Sequence, residues 1–116
     1  MQSTTTFSRG DVVVLPFQFT DKAAVKRRPA VVLSSHRYHA HRQEVIVAAI
    51  TSRLRDDLLF GDHLLTAWQE AGLPKPSVVT AILRTVKRSL VMRKLGSLEE
   101  GDLRAVSYQL SEVLPR

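Results

Sequence analysis

The 116-residue sequence contains no cysteine. Disulfides, thiolate metal sites and thiol nucleophiles are excluded together. Aromatic residues are sparse, at 6% with a single tryptophan, and no apolar run approaches the roughly 18 residues that a membrane-spanning helix needs. The opening "MQSTTTFSRG" has neither a basic start nor an apolar stretch, so it does not read as a secretory signal. The expected compartment is the cytoplasm. Also missing are a GxSxG elbow, a phosphate-binding glycine loop and a paired-carboxylate constellation.

Acid is the minority charge. Lys and Arg number 17 against 11 Asp and Glu, a net charge of +6, which favours polyanionic partners such as nucleic acid, an anionic membrane or an acidic protein. The imbalance is uneven. Fifteen of the 17 cations but only seven of the 11 acids precede Ser97, so the body of the chain is its basic part. Hydrophobic residues at 44% suit a soluble globular fold, and the length suits one domain spanning 1–116.

Short β-branched runs supply the strands. "GDVVVLPF" (10–17), "PAVVLSS" (29–35), "EVIVAAITS" (44–52) and "VVTAIL" (78–83) read as strands, with a further one in "LVMRKLG" (90–96). "EVIVAAITS" stays apolar for six residues and is expected to be buried on both faces. The residues up to Ser8 read as a frayed end. Residues 18–28 and the histidine-bearing 36–43 read as polar connections, and 53–63 as a hairpin or loop turning at Gly61-Asp62. A helical turn ending at Gly72 is expected within 64–77. One helix is expected over 98–114. Ser97 with Glu100 suggests a capping box, and Leu103, Val106, Leu110 and Val113 form one apolar stripe. Together these predict a mainly β fold, a small barrel or strongly curved sheet with a C-terminal α-helix packed on it.

The cations cluster at strand ends. Lys26, Arg27 and Arg28 run directly into Pro29 and the apolar segment after it. A residue before proline is driven toward extended backbone, so Arg28 should lie in line with the strand, its planar fork matched to a phosphate. A solvated charge run protecting a strand edge is the bland alternative. Thr51, Ser52 and Arg53 end the next strand with two hydroxyls and a guanidinium, although such hydroxyls often only terminate strands. Arg84, Lys87 and Arg88 lack interleaved aromatics and suit backbone contact better than base stacking. His36, His39 and His41 match no standard zinc spacing, so they read as exposed loop residues, and no metal or cofactor is expected. Trp68 reads as a partly buried anchor.

"RGDVVVLPFQFTD", "KRRPAVVLSS", "VIVAAITSR", "GLPKPSVV" and "RKLGSL" occur in the order and spacing of the MazF/PemK toxins, and the chain resembles that family from Arg9 to Leu114. The resemblance implies an SH3-like barrel of the CcdB/MazF type, usually a homodimer. It implies a metal-independent endoribonuclease acting on single-stranded RNA, inhibited by a cognate acidic antitoxin. The family's catalytic pair corresponds to Arg28 and Thr51. Lys26, Arg27, Ser52, Arg53, Arg84 and Lys87 are the candidate RNA contacts. Many members carry a glutamate in the loop before the RPAVV segment. Here Asp21 is the one acid in that loop and the candidate for proton transfer. Ile82 and Leu83 replace a polar base-contacting side chain. A gyrase poison like CcdB, or an RNA-binding relic on the same scaffold, is the alternative.

Overall fold

Valine-rich and isoleucine-rich runs become strands in the computed structural model, which describes residues 6–18, 20–22, 24–54 and 56–116. β1 (Asp11–Phe17), β2 (Lys26–Val32), β3 (Glu44–Thr51), β4 (His63–Leu64), β5 (Val78–Lys87) and β6 (Arg93–Ser97) form one sheet in the order β4-β5-β3-β2-β1-β6. Every pairing is antiparallel. Helix α1 (His36–His41) links β2 to β3, and α2 (Glu100–Val113) follows β6.

Alternation along the strands divides the core in two. Val12, Val31, Ala48, Ile50 and Val79 face α2, where Val106, Leu103 and Leu110 meet them, with Trp68 packed alongside. Val13, Leu15, Phe17, Ala30, Val32, Val45, Val47 and Ala49 fill the other face. β3 is accordingly apolar on both sides, as its sequence predicts. Two irregularities bend the sheet. Leu95 is extra in β6 opposite Val12 and Val13, and β5 gains residues between its partners of Ala48 and Ile50. Bulges of this kind raise local twist. The second is patched by Thr80, whose hydroxyl donates to the Ala49 carbonyl (2.8 Å) and accepts from the Ile82 amide (3.1 Å).

The resulting curl is measurable. Arg84 of β5 lies over the Phe17 ring of β1, 5.3 Å from its centroid, although β3 and β2 intervene in the sheet order. On a flat sheet three strand spacings would separate them by about 14 Å. The fold is a six-stranded curled antiparallel sheet, a half-barrel, closed on one side by a helix.

Two buried carboxylates brace the frame. Asp11 accepts from the Ser8 amide (2.8 Å), the Ser97 hydroxyl (3.1 Å) and Lys94 (3.2 Å). Asp102 in the first turn of α2 accepts from His63 (2.8 Å), the Thr66 amide and hydroxyl (both 3.1 Å) and the Ala67 amide (2.9 Å). Burial alone would raise the Asp102 carboxyl, but the hydrogen bonds from His63, Ala67 and Thr66 hold it below its usual range. Arg9 donates to the Leu33 carbonyl (3.0 Å) and to the Ser107 hydroxyl, joining β2 to α2. The "RGD" triplet is thus structural. So are two glycines: Gly72 holds φ +86° with its missing Cβ only 2.3 Å from the Leu95 carbonyl oxygen, and a Cβ on Gly96 would lie 2.6 Å from that of Ala71. The "GLPKPS" and "RKLGSL" segments meet there, backbone to backbone.

Several expectations need correction. Residues 26–28 belong to β2, because pairing with Phe17, Pro16 and Leu15 continues through the cations. The histidine segment is helical: Ser35 caps it by accepting the Tyr38 amide (3.1 Å). His39 is buried rather than an exposed loop residue. Ser34 accepts the Ile46 amide (2.9 Å) and so directs its proton to His39 Nε2 (2.6 Å), leaving Nδ1–H to donate to the Phe7 carbonyl (2.9 Å). Phe7, placed in a frayed end by sequence, is 4% exposed; residues 1–5 of that end lie outside the described residues. The capping box does not form, since Ser97 bonds to Asp11 and the N-cap is Glu99 without a side-chain bond.

Candidate active site and its cationic rim

β2 and β3 set the geometry. The β2–β3 pairing ends at Ala30 and Ala49; Arg28 lies two residues beyond that last pair on β2 and Thr51 two residues beyond it on β3. By alternation both share the face of Ala30 and Ala49, the inner face of the curl. Arg28 is flanked on its other side by Leu15 of β1. Its side chain enters the wall, with Nε shut off from solvent. Thr51 is half-buried and its hydroxyl oxygen accepts the Arg53 amide (3.1 Å). The strand-terminating bond that sequence suggested is therefore present, and it leaves the Thr51 proton to donate elsewhere.

The remaining cations distribute unequally. Lys26 and Arg27 are exposed on β2, paired with Phe17 and Pro16. Ser52 and Arg53 are exposed just beyond Thr51. Arg84 is held: it donates to the carbonyls of Leu83 (2.9 Å) and Gln18 (3.3 Å) while stacked on Phe17. Lys87 pairs with Glu44, the first residue of β3, and so lies at the opposite end of that strand from Thr51. Asp21 lines a pocket of about 200 Å³ with Arg84, Phe17 and Gln18; Arg28 and Thr51 do not line it. Among the described residues no group of three or more His, Asp or Glu side chains gathers as a metal site.

A second feature was not foreseen. Thr51 and Arg53 border a groove of about 500 Å³ walled by Leu54, Leu58, Leu59, Phe60 and Ile82. Phe60 is 76% exposed and Leu59 56%. The "LLF" triplet was the available signal, but a loop assignment gave it no face. The Arg84–Phe17 stack was likewise missed, because it joins residues far apart in both sequence and sheet order.

The half-barrel with one C-terminal helix is shared with several solved structures. One is MazF from Deinococcus radiodurans, 26% identical, with a TM-score of 0.75 over 97% of this chain and 100% of that one. Another is a MazE–MazF complex from the same organism, 26% identical, with a TM-score of 0.71 over 92% and 94% of the two chains. A third, an endoribonuclease in complex with its cognate antitoxin from a Mycobacterial species, shares the fold at 14% identity, with a TM-score of 0.76 over 96% and 99%. No curated protein sequence matches the chain. The family of PemK-like, MazF-like toxins of type II toxin–antitoxin systems matches residues 8–114. The chain belongs to that family. No helix among the described residues is long and apolar enough to cross a membrane.

Proposed function

We propose that this toxin is a metal-independent endoribonuclease that cuts single-stranded RNA in the cytoplasm. The reading is supported by the placement of Arg28, with Nε closed off from solvent, and of Thr51, at the end of β3, each two residues beyond the Ala30–Ala49 pair that ends the β2–β3 ladder. A guanidinium held this way suits one phosphate, while exposed Lys26, Arg27, Ser52 and Arg53 attract and track the strand.

In the proposed reaction the ribose 2′ oxygen attacks the adjacent phosphorus and loses its proton. The bond to the 5′ oxygen breaks, and that oxygen takes up a proton. The products are a 2′,3′-cyclic phosphate and a 5′-hydroxyl. Arg28 stabilises the crowded phosphorane, and the Thr51 hydroxyl donates to one of its non-bridging oxygens. DNA lacks the nucleophile and could bind without being cut.

An acidic antitoxin is the proposed inhibitor, supported by the net charge of +6 and by the antitoxin complexes among the similar structures. Two copies of so basic a chain repel each other, so a homodimer needs a contact face with little charge. The groove walled by Leu54, Leu58, Leu59 and Phe60 supplies one, and we assign it to the second copy. Incubation of the protein with a mixed RNA in EDTA, followed by end mapping, tests the catalytic reading. Cyclic-phosphate ends at a restricted set of sequences are expected; intact RNA would leave a binding protein only.

A further inference from the structure

The pocket beside Arg84 has a construction that phosphate contact does not require. Arg84 is fixed by two backbone carbonyls and an aromatic ring, and unlike Arg28 it is exposed and lines a pocket with apolar walls. Those bonds engage two of its five N–H groups. One face of the guanidinium rests on Phe17. Arg84 is also exposed, and guanidinium planes are established stacking surfaces for unpaired bases.

The surroundings narrow the partner. Pro16, Phe17 and Val86 give the pocket apolar walls, and Asp21 is its one carboxylate among the described lining residues. The Gln18 amide donates to the Asp21 carbonyl (3.2 Å), which braces the turn bearing that carboxylate. At about 200 Å³ the pocket falls below the roughly 300–1,000 Å³ of sites for drug-sized ligands, a size for one ring system rather than a whole nucleotide. An ionised carboxylate only accepts hydrogen bonds. Among the four RNA bases, guanine alone presents two neighbouring N–H donors, N1–H and the 2-amino group, on one edge. Adenine and cytosine set a ring-nitrogen acceptor beside their amino group, and uracil flanks its N–H with two carbonyls. Each would place a lone pair against Asp21.

We infer that this pocket reads a guanine base of the bound strand, stacked on Arg84 with its N1–H and 2-amino group donating to Asp21. The inference rests on RNA being the ligand of the rim, and it gives Asp21 a specificity role instead of proton transfer. Phe17 lies two residues along β1 from Leu15, the partner of Arg28, or about 7 Å at the usual strand rise. The guanine therefore belongs near the scissile linkage.

The test is binding of uncleavable 2′-deoxy oligonucleotides: an oligo(dU) octamer with one central deoxyguanosine, and the same octamer with deoxyinosine, which lacks only the 2-amino group. The native protein should bind the deoxyguanosine octamer about 10-fold more tightly, the scale of one bidentate contact. Asp21→Asn should bring the two affinities together. Equal affinities in the native protein, an unchanged ratio in Asp21→Asn, or no binding of either octamer would each overturn the inference. Cleavage of the all-ribose octamers is scored separately. A guanine preference without cleavage removes the nuclease and keeps the pocket; cleavage without preference does the reverse.

Discussion

The two sides of this sheet draw on alternate residues of the same strands yet treat charge in opposite ways. On the helix side the buried carboxylate Asp102 is saturated by four donors, which tie the 63–67 segment to α2. At the rim, Lys26, Arg27, Arg53 and Arg84 enter none of the ion pairs found among the described residues. Charge on the first side is neutralised internally and builds the fold. Charge on the second awaits a polyanion.

The sharpest way to break that comparison is to alter the rim without removing charge. Arg28→Lys keeps a cation but loses the planar fork. It should slow RNA cleavage by about 10²-fold, the lower end of what one preorganised donor contributes. A near-normal rate would make Arg28 an ordinary rim charge.

Asp102→Ala attacks the other side. It strands donors from His63, Thr66 and Ala67, several of them in reach of water, so a loss of about 2–4 kcal/mol is expected in urea unfolding. RNA cleavage by the folded fraction should persist. Joint loss of stability and specific activity would merge the two sides into one unit.

Phe60→Asp tests the groove. Burying one phenylalanine contributes about 1.5–3 kcal/mol, so its loss should weaken self-association roughly 10- to 100-fold in sedimentation experiments. An unchanged association constant would move the interface elsewhere.

Smaller effects follow from single rim charges and from pH. Each of Lys26→Ala and Arg27→Ala should flatten the log–log salt dependence of single-strand binding by about 0.7. The folded-state pKa of Asp102 is lowered, so its stabilisation is present above the usual aspartate value of about 3.9. It is lost as pH falls through the lower folded value. Urea midpoints should therefore decline below about pH 4, and less steeply in Asp102→Ala.

Much of the frame was legible because periodicity reports burial. β3 is apolar on both faces, and the stripe from Leu103 to Val113 marks α2. Arg28 and Thr51 were singled out by resemblance to the family's motifs; the strand pattern alone placed them only at the start and the end of apolar runs. What escaped depends on tertiary partners. The six-residue α1 is too short for periodicity and is held by the Ser35 cap and the bonds of His39 to Ser34 and Phe7. Ser97 had two possible partners, and Asp11 won over the helix amides because it is buried and needs donors. The Arg84–Phe17 stack depends on curl, which bulges create and no local pattern announces.

A guanidinium anchored in the sheet wall beside a threonine is the premise of the whole functional account. Its most direct measurement follows one labelled single-stranded RNA in EDTA with native protein and with Arg28→Ala, reading cutting and binding in parallel. The account predicts cyclic-phosphate ends with native protein, and a rate about 10²- to 10³-fold lower for the variant while most binding survives. Undiminished cutting by Arg28→Ala, or 5′-phosphate ends from the native protein, would contradict it.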